Sequence, residues 1–242
     1  MSKGVLLVNL GSPDSTSVGD VRRYLREFLM DERVIDVAWP LRAFIVSLIL
    51  INRPRQSAEA YRKIWTPEGS PLIVTSSRIR AKLQERVPVP VELAMRYRNP
   101  SVEDAVRKLA EGKVDEVLLI PLFPHYAMSS YETAAVRVQK AAATIAPQMR
   151  IVVHPPYGTS PEYITALVGS AMNHLTAGYD HLLFSFHGLP ERHLKKSDPT
   201  GSYCLAVPNC CETASPAHTT CYRAQCFKTV AAFVKQAGVP AG

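Results

Sequence analysis

Gly4-Val5-Leu6-Leu7-Val8-Asn9-Leu10-Gly11-Ser12-Pro13 is an unbroken apolar run closed by a glycine and a proline. A run without polar alternation reads as a strand covered on both faces, and Gly11 and Pro13 read as the turn that ends it. The same unit recurs along the chain. Val91–Tyr97, Val117–Ile120, Ile151–Val153 and His181–Phe186 are further strand candidates. Between them, Ser17–Met30, Val102–Leu109, Glu132–Ile145 and Tyr163–Leu175 carry apolar residues at three- and four-residue spacing, the mark of amphipathic helices. Thr229–Gln236 begins a last helix. Apolar strands alternating with helices predict an α/β protein whose parallel sheet is flanked by helices. The pattern occurs before and after about residue 148, which suggests two similar halves.

In such sheets ligands bind beyond the carboxyl ends of the strands. Asn9-Leu10-Gly11, Arg96-Tyr97, Pro124-His125-Tyr126 and His187-Gly188 all fall at predicted strand ends. Ordinary polar loops would look similar.

The 242 residues are 47% hydrophobic and 20% charged, with a net charge of +7, enough to bury a core and suited to an anionic partner. The basic residues are scattered and match no nucleic-acid-binding motif, so no nucleic-acid partner is expected. The start lacks a signal peptide's charge and cleavage pattern. The most apolar stretch, Phe44–Ile51, is eight residues long, whereas a membrane span needs about 20. A cytoplasmic location follows as the expectation. Dinucleotide, P-loop and serine-elbow glycine motifs are missing.

Three groups of residues could carry chemistry. His187 ends an apolar strand candidate and precedes Gly188-Leu189-Pro190. An imidazole held there could bind a divalent metal or take a proton near neutral pH, although a lone histidine at a strand end is more often structural. His125 is placed similarly, while His154, His174, His181, His193 and His218 read as surface or turn residues. Asn52-Arg53-Pro54-Arg55 follows the apolar Phe44–Ile51 segment. Two arginines beside an apolar wall suit a greasy ligand with carboxylate tails, a solvated helix end, or a membrane-surface patch. All five cysteines (Cys204, Cys210, Cys211, Cys221 and Cys226) share one loop-like window. In a reducing compartment, thiols so grouped suit zinc or a [2Fe–2S] cluster, and the spacing lacks the paired C-x₂-C of zinc ribbons. Free buried cysteines are the bland alternative.

These residues resemble those of the ferrochelatase family along nearly the whole chain. The opening Gly4–Pro13 strand and turn, Tyr61-Arg62-Lys63-Ile64, Gly69-Ser70-Pro71-Leu72, Met95-Arg96-Tyr97 and Pro121–Tyr126 are similar to its signatures. Ser185-Phe186-His187-Gly188-Leu189-Pro190 is the most specific match. The resemblance implies two Rossmann-like, chelatase-type domains, 1–147 and 148–242, with a porphyrin cleft. It implies insertion of Fe²⁺ into protoporphyrin IX in haem synthesis. His187 would be the catalytic and metal-site histidine, and His125 an accessory metal contact. Asn9, Leu10, Arg53, Tyr61 and Tyr126 would face the porphyrin, with Arg53 near a propionate. Phe44–Ile51 would form an apolar lip, with peripheral contact to the inner membrane.

Two departures accompany the resemblance. The family continues for several dozen residues beyond 242, with an acidic partner for the histidine and a closing helix, so a C-terminal truncation is expected. The cysteine window is similar to that of a bacterial subgroup with a [2Fe–2S] centre. Cluster-free members can also have a cysteine at the Cys226 position, which points to Cys204, Cys210, Cys211 and Cys221 as the ligands, although adjacent cysteines tend to point apart. Such a cluster would be structural or sensory, because inserting Fe²⁺ needs no net electron transfer. A chelatase for coproporphyrin, a cobalt-inserting relative and a non-catalytic porphyrin- or iron-sensing module are the alternatives.

Overall fold

The structure, a computed structural model, describes residues 1–239. The chain forms two compact units: Met1–Leu122 with Ser129–His154, and Phe123–Met128 with the chain from Pro155 onward.

The first unit is an α/β layer structure. Strands β1 (Lys3–Gly11), β2 (Val91–Tyr97), β3 (Glu116–Pro121) and β4 (Arg150–Val153) form one parallel sheet in the order β2-β1-β3-β4. Val5, Leu7, Val91, Leu93 and Met95 form a core with Leu72, Ile73 and Leu83 from α3 (Pro71–Gln84), a helix the sequence analysis did not delimit. The opposite parity of β1 faces α4 (Val102–Glu111). Leu6 and Val8 are fully buried there, and a Cβ on Gly4 would lie 3.1 Å from Leu109. α4 packs beside α5 (Thr133–Ile145). Burial on both faces is the reason the strands read as continuous apolar runs.

With β2 on one side of β1 and β3 on the other, the order in which strands are added reverses between β1 and β3, the point where open α/β sheets bind ligands. Asn9 and Leu10 sit on that rim. Gly11 follows at φ +107°, and an added Cβ would lie 2.0 Å from the Tyr97 carbonyl, so only glycine fits.

Helix α1 (Val18–Leu29) starts where Ser17 accepts the Asp20 N–H, as N-cap chemistry predicts. Helix α2 runs from Trp39 to Ile64, so Phe44–Ile51 and Asn52–Arg55 are one continuous helix and Asn52–Arg55 is not a helix end. Its buried stripe is Arg42, Val46, Leu50, Pro54 and Ala58, one residue per turn. Pro54 offers no N–H to the Leu50 carbonyl four residues back. The Arg22 guanidinium donates to that oxygen instead, at 2.7 Å. Arg42 likewise donates to the carbonyls of Met30, Ile35 and Val37.

The predicted 147/148 boundary does not follow the compact units, because β4 pairs with β3 and stays in the first. The predicted His181–Phe186 strand does not form. Its alternation survives, with Leu182 and Phe184 packed toward Phe233, Ile164 and Val168. Among the described residues it has no ladder partner, and a strand without one leaves its N–H and C=O groups unpaired. The second unit therefore has no strand among its described residues. It is built from α6 (Pro161–Thr176), α7 (Glu191–Lys196) and α8 (Tyr222–Ala237), with α6 packed on α8.

Candidate active site

In the second unit, His187 borders a cavity of about 610 Å³, within the roughly 300–1,000 Å³ range of small-molecule sites. Phe184, Phe186, Leu189, Leu194 and Phe227 give it apolar walls, and Glu191 and Arg223 supply charge. His187 is exposed to this space. The imidazole opens on this cavity from an irregular segment, not from the predicted sheet edge.

His125 is buried at 8% exposure. Its Nε2 lies 2.8 Å from Thr229 Oγ1 on α8. The single Thr229 hydroxyl proton is directed to the carbonyl of Gly158 or Gln225, so Nε2 carries the proton of this pair. Burial pushes the His125 pKa down, which favours that neutral ring. Gly158 makes the room, since a Cβ there would lie 2.8 Å from the His125 ring. The Nε2 of His125 is therefore already engaged. Tyr126, half-buried beside it, is held through its N–H by Gln225 Oε1 at 2.7 Å.

Asn9, Leu10, Arg53 and Tyr61 belong to the first unit. Asn9 donates to Ser76 at 3.0 Å and accepts the Leu10 N–H, and both side chains stay half-buried at the β1 rim. Arg53 is exposed on α2 and free to meet a carboxylate. Tyr61 stacks edge-on with Tyr24 and Trp65. Burial raises its pKa. Leu41, Phe44, Leu48 and Ile51 form an exposed apolar row along α2. No helix among the described residues is long and apolar enough to cross a membrane.

The cysteine window folds as a turn-rich loop around Asp198. That carboxylate accepts from the Thr200 hydroxyl and from the N–H groups of Thr200, Tyr203 and Cys204, at 2.8–2.9 Å. Burial opposes its ionisation, but these donors prevail and hold the acid well below the usual carboxylate range. Asp198 is thus committed to the loop and is not a second acid for His187. The Asp198-Pro199-Thr200 turn signal could have shown this.

Cys204 and Cys221 share a buried cluster with Cys211 packed against it. Burial, then Cys221, pushes the Cys204 thiol up to about 12. Burial, then Cys210 and Cys221, pushes Cys211 up to about 11. Thiols that resist ionisation through burial and then through their neighbours are suited to a cationic centre, which would reverse that sign. Even so, no three His, Cys, Asp or Glu side chains among the described residues stand in a metal-holding arrangement. Cys226 borders the His187 cavity. His193 and His218, expected at the surface, are buried at 3% and 6% exposure, and His218 Nε2 donates to the Cys210 carbonyl at 2.7 Å.

Fold and cavity together define a parallel α/β protein with a histidine-bearing ligand pocket. A family model described as Ferrochelatase matches residues 2–241. Proteins named Ferrochelatase are similar throughout. That of Stutzerimonas stutzeri is 51% identical over 98% of this chain and 70% of its own length. Those of Pseudomonas syringae pv. tomato and Azotobacter vinelandii are 53% and 50% identical, over 98% of this chain and 70% and 71% of theirs. The chain belongs to the ferrochelatase family. Its function is that of this metal chelatase of haem synthesis, a lyase acting on ferrous iron and a porphyrin.

Proposed function

We propose that the chain inserts Fe²⁺ into protoporphyrin IX, with His187 as the group that meets the incoming metal or the departing pyrrole proton. The exposed imidazole on an aromatic cavity carries this reading. A planar porphyrin hides its nitrogen lone pairs and holds two N–H protons. A rigid apolar pocket favours the bent ring that exposes them, and an imidazole can assist proton removal near neutral pH. Arg223 is the sole arginine or lysine among the described lining residues, which suits two carboxylates better than four. Anaerobic insertion assays on the intact protein should therefore show kcat/KM at least about tenfold higher for protoporphyrin IX than for coproporphyrin. The reverse order would transfer the activity to the tetracarboxylate porphyrin.

The cysteine loop is proposed to hold a [2Fe–2S] cluster on Cys204, Cys210, Cys211 and Cys221. The packing of Cys204, Cys211 and Cys221 in one cluster supports it, as does the Asp198 anchor that holds the Cys204 backbone. When bound, the cluster would supply order to a loop with little apolar surface of its own. Anaerobically purified protein should absorb in the visible region. Cys204→Ser and Asp198→Ala should each lower that absorbance several-fold per protein, and a colourless parent protein with no bound iron would exclude the cluster.

A further inference from the structure

Gln225 lies one turn before Thr229 on α8, so the two side chains share a face of that helix. Both reach the Pro124-His125-Tyr126 segment. Thr229 holds the His125 ring, and Gln225 Oε1 accepts the Tyr126 N–H at 2.7 Å. The other end of the same amide turns to the cysteine loop. Gln225 Nε2 donates to the carbonyls of His218 and Thr219, at 3.1 and 2.8 Å. A backbone N–H can only donate and a carbonyl can only accept, so the partners fix which end of the amide points where. Both carbonyls belong to the short 3-10 helix Pro216–Thr219 that leads into Cys221, and the His218 ring donates to the Cys210 carbonyl. On the far side of the segment, the His125 ring meets the Phe186 ring edge-on at 5.8 Å. Phe186 is a wall of the His187 cavity. Residues 179–189 make no backbone–backbone hydrogen bond among the described residues, so the place of that wall depends on what packs against it.

We infer that Gln225 is a positioning residue for porphyrin binding. Its amide ties the end of the cysteine loop to the Tyr126 backbone, and the segment so held braces Phe186 through the His125 ring. The cysteine loop thereby reaches the cavity through hydrogen bonds and ring packing, with no electron transfer required. The inference rests on the reading that the porphyrin occupies the His187 cavity.

Binding of protoporphyrin IX to the intact protein, followed by fluorescence quenching, tests it beside anaerobic insertion assays. Gln225→Leu removes all three side-chain hydrogen bonds and leaves an apolar side chain in their place. It should weaken porphyrin binding about five- to tenfold, what the loss of a hydrogen bond accounts for. The KM for Fe²⁺ should stay within about twofold, because the tether does not include the imidazole that meets the metal. A residue that served the fold alone would lower the thermal midpoint and leave porphyrin affinity at the parental value, which would overturn the proposal. Phe186→Leu should itself weaken porphyrin binding, since the ring is a cavity wall. In that background Gln225→Leu should cost less than about twofold, because the wall it braces is already gone. Losses that multiply would overturn the proposal. Parental affinity in Phe186→Leu sinks the cavity reading and the proposal with it, and which variant is silent tells the two failures apart. Should Gln225→Leu not accumulate, Gln225→Glu decides, because a carboxylate can accept the Tyr126 N–H but cannot donate to the His218 and Thr219 carbonyls. Porphyrin binding must then weaken about two- to fivefold, and parental affinity there overturns the tether.

Discussion

His187→Ala is expected to lower the rate of iron insertion into protoporphyrin IX by at least about 100-fold, the lower end of what a positioned acid or base contributes. The ring is exposed to an aromatic cavity and is the sole histidine among the residues described as lining it. His125 cannot substitute, because its Nε2 is held by Thr229 within the protein. Deletion of the imidazole should leave the fold intact, since the side chain is exposed and truncating it opens no core cavity. Circular dichroism and thermal midpoint should match the parent, and porphyrin binding followed by fluorescence quenching should change less than threefold. A variant with parental turnover would remove His187 from the reaction.

Asp31→Ala is expected to be the most damaging change to stability. The carboxylate is 8% exposed and pairs with the Arg96 guanidinium. It also accepts from the Thr133 hydroxyl, from the Tyr97 phenol at 2.9 Å and from the Arg33 N–H at 2.8 Å. One side chain after α1 thereby ties the end of β2 to the start of α5. Removing it leaves the half-buried Arg96 without its counter-charge, a change that costs about 3 kcal/mol, the lower end for a buried pair. That is a large share of a typical 5–15 kcal/mol stability. Urea unfolding should show the loss as a lower midpoint.

The pH dependence has a definite sign. Burial opposes ionisation of Asp31, but the Thr133 and Arg33 hydrogen bonds and the Arg96 charge outweigh it and lower its pKa. A carboxylate with a depressed folded value contributes fully above its unfolded value of about 3.9. The contribution is lost as pH falls through the lower folded value. The parent should thus lose stability relative to the Asp31→Ala variant below about pH 4. A gap between the two that stays constant from pH 7 to pH 3 would contradict this assignment.

Arg96 and Tyr97 illustrate why the rim could be read only in part from the sequence. Their position at a strand end made them candidates for ligand contact, and the sequence holds no sign that Asp31, 65 residues earlier, claims them both. The Arg96 guanidinium in turn lies over the Tyr97 ring at 4.4 Å. Tyr61 fared likewise, since its signature motif does not reveal that the ring packs edge-on between Tyr24 and Trp65. Asn52–Arg55 misled for a different reason. A proline normally closes a helix, but here Arg22 supplies the hydrogen bond that Pro54 cannot.

Local chemistry was sufficient for β1 to β4, for α1, α4 and α5, and for naming the histidine and cysteine candidates, but not for the extent of α2 or for α3. Strand runs, helical spacing, caps and motif residues are properties of neighbours along the chain, and the physics that selects them acts over one or two turns. The tertiary structure alone decided which polar groups remain free for a ligand. It bound His125 to Thr229 across 104 residues and enclosed Asp198 in the cysteine loop. It also withheld a ladder from His181–Phe186, because a strand exists only where another backbone lies alongside to receive its hydrogen bonds.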